Sequence, residues 1–313
     1  PPSGPPPRDC AGKAGARTSD EVGTDEGSLV SRPRIEDVTR KVRAFYEECS
    51  FPGYEEFDTP FDLLEKAGRG IYARLLDEQL PLGARVLDAG CGTGQLAMFL
   101  SVLNRQVLGI DFSLASLRKG HAFAERFEQR NARFVQMDLF HPALREETFD
   151  YVFCNGVLHH TADAYGGFRV LCRLLKPNGY IALGLYNTYG RLLLNLRRLL
   201  FRLTRNRLVW LDFFMRQRLL GQEKKRIWFL DQYQNPHEQK VSVGEVLEWF
   251  RRNDVDYINS VPKINVGERF DAKERLFERH DPGSWLDHAL TQLGWIFSKG
   301  REGGFFILIG QKR

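Results

Sequence analysis

Residues 86–94 read VLDAGCGTG, an apolar run that ends in an acid, Asp88, and in three glycines at alternate positions. An apolar run of this kind is typical of a buried strand, and the residues after it have the pattern of a helix. Glycines two positions apart let the backbone turn sharply out of the strand, and they let a ligand approach more closely than a Cβ atom would permit. The free N–H groups at the start of the next helix add hydrogen-bond donors. The stretch therefore predicts a site for a nucleotide-like cofactor.

The spacing of these glycines does not match the usual phosphate-binding loops. The dinucleotide fingerprint needs a third glycine three positions after its second, which is Gly92 here, and Gln95 stands at that position. No Walker-type lysine follows the loop either. The pattern therefore argues against a cofactor that is held by its phosphates.

Three later segments extend the pattern. Residues 107–111 (VLGID) form an apolar run that ends in an acid 17 residues after Gly94, and residues 134–138 (FVQMD) repeat it one unit later. Residues 151–161 (YVFCNGVLHHT) form a third run that ends in a turn. In order and spacing, these segments resemble the class I S-adenosylmethionine (SAM) dependent methyltransferases, as in the ubiquinone-type O-methyltransferases and the wobble-uridine tRNA methyltransferases. The resemblance covers roughly residues 80–187.

The resemblance implies SAM as the cofactor. Asp111 ends the second strand, where a carboxylate can accept hydrogen bonds from both ribose hydroxyls, and Asp138 would meet the adenine amino group. An N-cap just before Ser113 is the alternative role for Asp111. The residues predicted to contact the cofactor are Asp88, Gly90, Cys91, Gly92, Gly94, Asp111, Phe112, Asp138, Leu139 and Asn155.

From residue 84 the chain alternates between strand and helix patterns, which predicts a parallel sheet covered by helices on both faces. Two further strands would complete an α/β, Rossmann-like, seven-stranded sheet, whose last strand is antiparallel by family resemblance. Helices are predicted near 94–103, 113–129 and 163–175. Strands are predicted near 84–88, 106–110, 133–137, 149–155, 179–186, 255–261 and 304–310.

The chain divides into five predicted segments. The first is too rich in Pro, Gly, Ser and charge to bury a core, so we expect it to be disordered. Helical patterns at 35–49 and 61–80 predict an N-terminal cap, and a capping box at Ser242 and Glu245 predicts a helix that runs to about residue 252. The segments are a disordered tail (1–32), the helical cap (33–80), the SAM-binding core (81–187), a basic helical insertion (188–240) and the remainder of the core (241–313).

Length and composition indicate a soluble globular protein. The 313 residues suffice for one large domain with an insertion. Five scattered cysteines without a C-x-x-C pair suggest neither a disulfide framework nor a zinc site, and they fit a reducing, cytoplasmic location. No apolar stretch is long enough for a transmembrane helix, and the N-terminus does not resemble a signal peptide.

Side chains for catalysis are expected at the carboxyl edge of the sheet. Methyl transfer from a sulfonium is an in-line displacement, so the protein mainly has to align the reactants. A base helps when the acceptor is a hydroxyl or a protonated amine, and His159 or His160 after the fourth strand could act as one. The alternative is that these two histidines only pack the turn after the fourth strand. Tyr186, which ends the fifth strand, is the third predicted catalytic residue.

Residues near the acceptor substrate are predicted from three segments. Tyr46 and Tyr54 belong to the helical cap, and aromatic rings there could shield a sulfonium. Asn187 follows the fifth strand, and polar residues follow the insertion at 231–233 (DQY) and 236–238 (PHE), of which Tyr233 and His237 are selected. Ordinary packing or surface turns are the alternatives. The spacing of the histidines requires no metal, so no metal site is predicted.

The insertion concentrates positive charge. Residues 191–226 hold eleven basic and two acidic residues, whereas the net charge of the chain is +5, so the rest carries −4. Leucines at 192, 193, 196, 199, 200 and 203 follow helical spacing with arginines between them. The first interpretation is that the leucines form a stripe that packs on the core, while the arginines form a face exposed to solvent. A lid or dimer contact, a membrane-surface helix and an RNA-phosphate face remain open.

These observations predict a SAM-dependent methyltransferase that acts on a small organic acceptor, with oxygen as the first choice of acceptor atom. An RNA methyltransferase that uses residues 191–226 to bind phosphates is the alternative, as the tRNA enzymes of the family suggest. A non-catalytic SAM-binding or scaffolding subunit is the alternative from another class. The oligomeric state is not predicted by the sequence.

Overall fold

The computed structural model describes residues 35–48, 59–216, 225–226, 229–297 and 304–313, without the side chains of residues 213 and 214. The predicted disordered tail and Tyr54 lie outside these residues. Seven strands form one sheet in the order β3-β2-β1-β4-β5-β7-β6. They are β1 (Arg85–Ala89), β2 (Gln106–Asp111), β3 (Ala132–Gln136), β4 (Phe149–Asn155), β5 (Leu175–Tyr186), β6 (Val255–Val261) and β7 (Phe305–Lys312).

The direction of the strands confirms the predicted fold class. β1 to β5 are parallel, and β7 runs antiparallel between β5 and β6, with Leu183 opposite Leu308. The central strands are buried on both faces, as expected for a parallel sheet with helices on each side. The strand order reverses direction at β1, so β2 and β4 flank it. Open α/β sheets bind ligands at such a switch point, outside the carboxyl ends of the strands.

Ten helices are described in addition to the strands. Most cover the two faces of the sheet, and each face has its own apolar core. They are α1 (Ile35–Glu48), α2 (Pro60–Gly68), α3 (Ile71–Gln79), α4 (Gln95–Ser101), α5 (Leu114–Arg126), α6 (Ala164–Leu174), α7 (Leu192–Leu203), α8 (Phe213–Arg216), α9 (Val243–Arg252) and α10 (Trp285–Phe297).

Local sequence explains where several helices begin. The predicted capping box at the start of α9 is present: the Ser242 hydroxyl accepts from the Glu245 amide, and the Glu245 carboxylate accepts from the Ser242 amide. The single helix predicted over 61–80 is wrong, because the structure has two helices there. The break falls at Gly70, which has extended backbone and serves as the N-cap of α3.

The fifth strand also begins earlier than predicted. β5 starts at Leu175 rather than near residue 179, because Leu175 already pairs with Phe149 of β4. The pairing register then shifts before Tyr180 meets Tyr151, and Asn178 takes a left-handed conformation with φ 64°. The segment between the predicted helix and the predicted strand is therefore an irregular part of β5 rather than a connection before it.

The insertion leaves the sheet and returns to it at one place. The Val241 amide donates to the Tyr186 carbonyl at 3.0 Å, and the Thr188 amide donates to the Val241 carbonyl at 3.1 Å. Inside this excursion, Leu194 and Phe201 of α7 pack with Tyr233, which belongs to a π-helical turn, Leu230–Gln234. Because both ends are pinned beside β5, residues 231–239 lie next to the carboxyl edge of the sheet.

The direction of the leucine stripe on α7 contradicts the first interpretation of the insertion. Leu192, Leu193, Leu196, Leu199 and Leu203 are all exposed, whereas Leu194 and Phe201 form the buried side. The stripe therefore points away from the core. Within the described residues, no helix is both long enough and apolar enough to cross a bilayer.

Candidate active site

A cavity of about 340 Å³ lies at the carboxyl ends of the parallel strands. Its volume falls in the range typical of small-molecule sites. The cap contributes α1 to its wall, and the insertion contributes Asp231. Of the residues singled out from the sequence, those that line it are Tyr46, Gly90, Cys91, Gly92, Asp111, Phe112, Asp138, Leu139, Asn155, His160 and Tyr186.

The glycine loop leaves β1 with left-handed backbone. Gly90 and Gly92 have φ values of 75° and 55°, a region that favours glycine. A Cβ atom on Gly90 would lie 2.4 Å from a methyl group of Val157, which also lines the cavity. The Ile110 carbonyl accepts hydrogen bonds from the amides of Gly90 and Cys91, which fixes the loop against β2. The absence of a side chain at Gly90 thus lets the loop pack closely against Val157, which follows β4.

Asp111 is held at the end of β2 by backbone amides. Its Oδ2 accepts from the Gly92 amide at 2.9 Å, and its Oδ1 accepts from the Ser113 amide at 2.8 Å. Burial raises the pKa of this carboxyl, although both amides oppose the rise. Each carboxylate oxygen can accept a further hydrogen bond. A ligand with two neighbouring hydroxyls matches this arrangement. The N-cap role considered for Asp111 is taken by Ser113, whose hydroxyl accepts from the Ser116 amide.

Asp138 lies at the outer end of the cavity, beyond β3. Its Oδ1 accepts from the Phe140 amide at 2.9 Å, and its Oδ2 lies 3.1 Å from Nδ1 of His141. Half of the side chain is exposed to solvent. Leu139 and Phe112 also line this end. The structure thus brings three of the predicted cofactor-binding residues, Asp138, Leu139 and Phe112, to the lining of one cavity.

Helix α1 closes the cavity from the cap side. Thr39, Val42 and Tyr46, at helical spacing, line it. The Glu47 carboxylate accepts from the first two amides of α5, at 2.9 Å and 3.2 Å, where the helix dipole favours an anion. The Ser113 hydroxyl donates to the Tyr46 carbonyl. These contacts tie α1 to the end of β2, so the predicted cap behaves as a wall of the cavity. The spacing of Thr39 and Val42 relative to Tyr46 is the signal that could have identified them.

His160 lines the cavity, and the tautomer of its ring is fixed. Its Nδ1 lies 2.9 Å from the His237 carbonyl, and since a carbonyl only accepts, Nδ1 carries the proton. The neutral ring therefore has its lone pair on Nε2. Burial lowers the pKa of His160, while the carboxylates of Asp231 and Glu238 act in the opposite direction. The ring is thus held in the form that can accept a proton.

His159 has a different environment from its neighbour. It does not line the cavity, and among the described residues neither of its ring nitrogens has a hydrogen-bond partner. Its ring packs on Tyr186 at 4.0 Å between centroids, and burial holds its pKa well below the usual range. The structure therefore gives His159 a packing position. A short 3₁₀ turn, Leu158–His160, separates the directions of the two adjacent rings.

Tyr186 is the side wall of the cavity and is braced by a buried cluster of charges. The Arg191 guanidinium lies 3.7 Å from the centre of its ring. Arg191 and Arg198 both donate to the carboxylate of Glu238, whose pKa they hold at about 2 despite burial. Two arginines that the sequence assigned to a basic surface are therefore internal supports of the cavity wall. Burial raises the pKa of Tyr186 to about 12, so its hydroxyl stays protonated.

Asp231 is the residue of the insertion that reaches the cavity. The Tyr46 hydroxyl donates to its Oδ1 at 3.4 Å, and the side-chain amide of Gln232 donates to its Oδ2 at 2.8 Å. The same Gln232 amide also donates to the Tyr186 hydroxyl at 3.0 Å. The sequence pattern identified residues 231–233 as a polar group, but it selected Tyr233 from that group. The return of the insertion to β5 is what carries Asp231 inward.

Three predicted substrate residues lie outside the cavity lining. Asn187 is fully buried and organises the start of the insertion, because its Oδ1 accepts from the Tyr189 and Gly190 amides. Tyr233 packs on Phe201 and donates to Asp212 inside the insertion. His237 contributes its carbonyl to His160, but its ring is not part of the wall. The side-chain polar atoms of Asn187 and Tyr233 are used for structure, and the His237 ring does not line the cavity.

Two residues of the glycine motif also lie behind the lining. Asp88 is buried, with Oδ2 unpartnered among the described residues, and burial together with Asp111 raises its pKa to about 7. Gly94 caps α4 with φ 79°, and a Cβ there would lie 2.1 Å from Phe134 of β3. Gly94 thus lets α4 approach the sheet closely, which is a packing role.

The donors and acceptors of the cavity suit SAM. Its charged lining residues include Asp111, Asp138 and Asp231, and no lysine or arginine is found among the described residues of the lining. Asn155 adds a buried Oδ1 that has no partner among the described residues. An acceptor-rich, anionic cavity fits a ligand that carries a sulfonium, an ammonium and two ribose hydroxyls. Cofactors held by phosphate do not fit it.

Comparison with known proteins agrees with this geometry. Residues 87–183 match the family model described as a methyltransferase domain. A tRNA 5-carboxymethoxyuridine methyltransferase of Escherichia coli (strain K12) is 30% identical over 153 residues, which are 43% of this chain and 59% of that protein. A ubiquinone biosynthesis O-methyltransferase of Alkalilimnicola ehrlichii is 34% identical over 106 residues, which are 34% of this chain and 42% of that protein.

Solved structures share the fold. PKMT2 from Rickettsia typhi, solved in complex with AdoHcy, superposes with a TM-score of 0.54 at 19% identity, over 79% of this chain and 54% of that one. The chain spans about half the length of the relatives that it matches. The motif, the strand order and the family match agree on one assignment. The chain contains a methyltransferase domain of the class I, SAM-dependent family.

Proposed function

We propose that the protein transfers the methyl group of SAM to a hydroxyl of a small aromatic acceptor, with His160 as the base. The observation that carries this proposal is the geometry of His160. Its proton is fixed on Nδ1 by the His237 carbonyl, and its ring faces the cavity beside Tyr46 and Tyr186. These groups lie at the β4–β5 end of the cavity, whereas the predicted ribose and adenine ligands lie at the β2–β3 end.

The division of the cavity supports an acceptor at the β4–β5 end. SAM, when bound, supplies an electrophilic methyl group on a sulfonium. Asp111 and Asp138 would hold SAM at the other end of the cavity, and its methyl group would pass to the acceptor oxygen with the bonding pair kept by sulfur. His160 Nε2 takes the hydroxyl proton, and α1 excludes water from the cavity. The protonated Tyr186 hydroxyl is available to orient the acceptor.

The environment of His160 favours an acidic hydroxyl. Burial lowers the pKa of the imidazole, which makes it a weak base. A weak base removes a proton more readily from a phenol, whose pKa is close to the value of about 10 for tyrosine, than from an alkyl alcohol. The rings of Tyr46 and Tyr186 provide surfaces on which an aromatic acceptor can pack. These features support a phenol-like substrate.

Charge argues against an anionic acceptor. Asp231 lies at the acceptor end, and a carboxylate or phosphate ester there would be repelled by it. Arg191 and Arg198, which an RNA-binding face could have used, are buried against Glu238. The similarity to a tRNA methyltransferase keeps RNA as the alternative acceptor, and residues such as Arg202 and Arg205 remain exposed.

A competition of acceptors tests the proposal. The full chain is incubated with methyl-tritiated SAM and, in separate reactions, with a set of hydroxylated aromatics, with bulk tRNA and with aromatic carboxylic acids. We expect label in the neutral phenols and none above background in the other two pools. Label in tRNA would contradict the proposal and would support an RNA methyltransferase instead. Tight SAM binding without transfer to any pool would favour a non-catalytic subunit.

A further inference from the structure

Helix α7 carries an apolar face that points away from the protein. Leu192, Leu196, Leu199 and Leu203 are spaced four, three and four residues apart, and we call them the leucine face. Their exposed fractions are 46%, 63%, 53% and 74%. At about 100° per residue they lie within about 60° of one another and opposite the buried side of the helix. An ordinary surface helix turns its apolar stripe toward the core, and α7 does the reverse.

The exposed charge beside the leucine face is positive. Arg202, Arg205 and Arg207 are exposed at the end of α7 and in the turn after it, and Arg216 is exposed in α8. The acid of the described part of this region, Asp212, is buried and paired with Arg197. Exposed leucines flanked by arginines form the pattern of a helix that lies in the interface of an anionic bilayer.

A second outward apolar stripe lies on α10. Leu286, Leu290, Leu293 and Phe297 follow the same spacing of four, three and four, with exposed fractions between 47% and 79%. The opposite side of α10 is anchored in the protein, for example by Gln292, which accepts a hydrogen bond from the Asn187 amide at 2.8 Å. Asn187 is also the residue where the insertion leaves β5. Both helices are therefore joined to the core at the same corner of the fold.

Trp210 supports the same interpretation. It is 58% exposed in the turn that follows α7, next to the exposed arginines. Tryptophan is enriched at the boundary between lipid headgroups and acyl chains, because its ring is apolar and its N–H remains hydrated.

We propose that the protein docks on an anionic lipid bilayer, with the leucine face of α7 inserted among the acyl chains and the neighbouring arginines on the headgroups. Two other occupants fit the observations less well. RNA would use the arginines but leave the leucines in water. A second copy packed symmetrically on the same face would bring two sets of arginines together, and Asp212, the acid in the described part of the region, is buried against Arg197. The proposal does not depend on which acceptor is methylated.

Vesicle binding by the full chain tests this surface. Sedimentation is measured with vesicles of phosphatidylcholine alone and of two parts phosphatidylcholine to one part phosphatidylglycerol. We expect the anionic vesicles to bind at least about 10-fold more tightly, and the substitution of Leu196→Glu together with Leu203→Glu to reduce that affinity at least about 10-fold. Retained SAM binding and an unchanged far-ultraviolet circular dichroism spectrum show that the variant is folded.

A matched control distinguishes an effect of the leucine face from an effect of exposed apolar side chains in general. Phe61 and Leu82 are 72% and 70% exposed, as much as the mutated leucines, but lie in the cap and the turn before β1. Phe61→Glu with Leu82→Glu adds the same charge and should leave vesicle binding unchanged. Equal loss in both variants, or no binding of the wild type to anionic vesicles, would overturn the proposal. So would a vesicle-independent dimer that the leucine variant dissociates, or tRNA binding by a wild-type protein that does not bind the anionic vesicles.

Discussion

Asp111 shows how one carboxylate at a strand end serves both the loop and a ligand. Its two oxygens accept from the Gly92 and Ser113 amides, so the group is oriented before any cofactor arrives. This preorganisation means that a bound ribose does not have to order the side chain. The same contacts place the acid where its remaining lone pairs face the cavity.

Asp111→Asn should weaken SAM binding about 10- to 100-fold. The amide has one acceptor oxygen instead of two, and hydrogen bonds to a charged group contribute about 1.5–3 kcal/mol. Isothermal titration calorimetry of SAM measures the change. Asp138→Asn is the comparison, and we expect a smaller loss because that side chain is half exposed. An unchanged dissociation constant in the Asp111 variant would contradict the assignment of the ribose site.

The two histidines after β4 can be separated by the same substitution. His160→Gln removes the proposed base and should lower kcat about 100-fold or more, while the KM for SAM changes little. His159→Gln alters the neighbouring ring, which lies behind Tyr186, and should reduce kcat much less. Initial rates over a range of pH provide the test. A larger loss in the His159 variant would reverse the roles of the two residues.

Asp88 links the stability of the fold to pH. Its pKa is about 7 in the folded protein, above its ordinary value of 3.8. A raised pKa means that the group favours the folded state at low pH, and that this contribution is lost as the pH rises from about 4 to about 7. Asp88→Asn abolishes this titration. The free energy of unfolding of the variant, minus that of the wild type, should be roughly 3 kcal/mol larger at pH 8 than at pH 5. Urea unfolding at both pH values measures it, and a constant difference would contradict the argument.

At the scale of elements, the insertion is built around a buried ion cluster. Arg191 precedes α7, Arg198 lies within it, and Glu238 comes from the segment that returns to the sheet. The cluster therefore joins both ends of the insertion behind Tyr186. Breaking such a cluster is costly, because removal of one partner leaves the other charges buried without compensation.

Glu238→Gln should lower the free energy of unfolding at pH 7 by about 3 kcal/mol. The folded pKa of Glu238, about 2, lies below its ordinary value of 4.5. Its contribution is therefore present above pH 4.5 and is lost as the pH falls toward 2, so wild type and variant should converge in acid. Glu248→Gln is the control, since Glu248 pairs with Arg251 and Arg252 on the exposed face of α9 and should have no measurable effect. Equal effects of the two substitutions would show that the buried cluster is not a support.

At the scale of the whole molecule, one cavity depends on three parts of the chain. The sheet edge provides the cofactor ligands, α1 provides the lid, and the insertion provides Asp231. The insertion does not interrupt the sheet, because it leaves and returns beside Tyr186. A ligand in the cavity therefore contacts segments that are up to about 190 residues apart in sequence.

SAM binding should protect all three parts from hydrogen exchange. At a SAM concentration of 100 times the dissociation constant, the free energy of unfolding should rise by about 2.7 kcal/mol. Hydrogen exchange should slow in the amides of α1, of the turn Leu230–Gln234 and of the glycine loop. The slowing in these three segments should be larger than that in α9, which does not line the cavity and serves as the reference. Mass spectrometry of the exchanged peptides measures it. Protection confined to the glycine loop and β2 would contradict the lid role of α1.

Local sequence was sufficient for the core of the fold. The alternation of strands and helices, the capping box at Ser242 and the glycine loop are encoded by residues that are close in the chain, so they predict the sheet and the edge at which the site lies. Predictions of helix ends were less accurate at Gly70 and Leu175, where a break and a strand pairing decided the boundary. Among the site predictions, those on the loop and at the ends of the strands lie on the cavity in most cases.

The sequence by itself determined a class I methyltransferase sheet with a cofactor loop after its first strand. Only the tertiary structure decided that His160 rather than His159 faces the cavity, that Asp231 joins it and that Arg191 is buried. It also decided that the leucines of α7 point outward. The physical reason is the distance along the chain over which each effect acts. Periodicity and glycine spacing act over a few residues, whereas the direction of a side chain depends on what packs against it from distant segments. For Tyr46 and Asp231 those partners lie 185 positions apart.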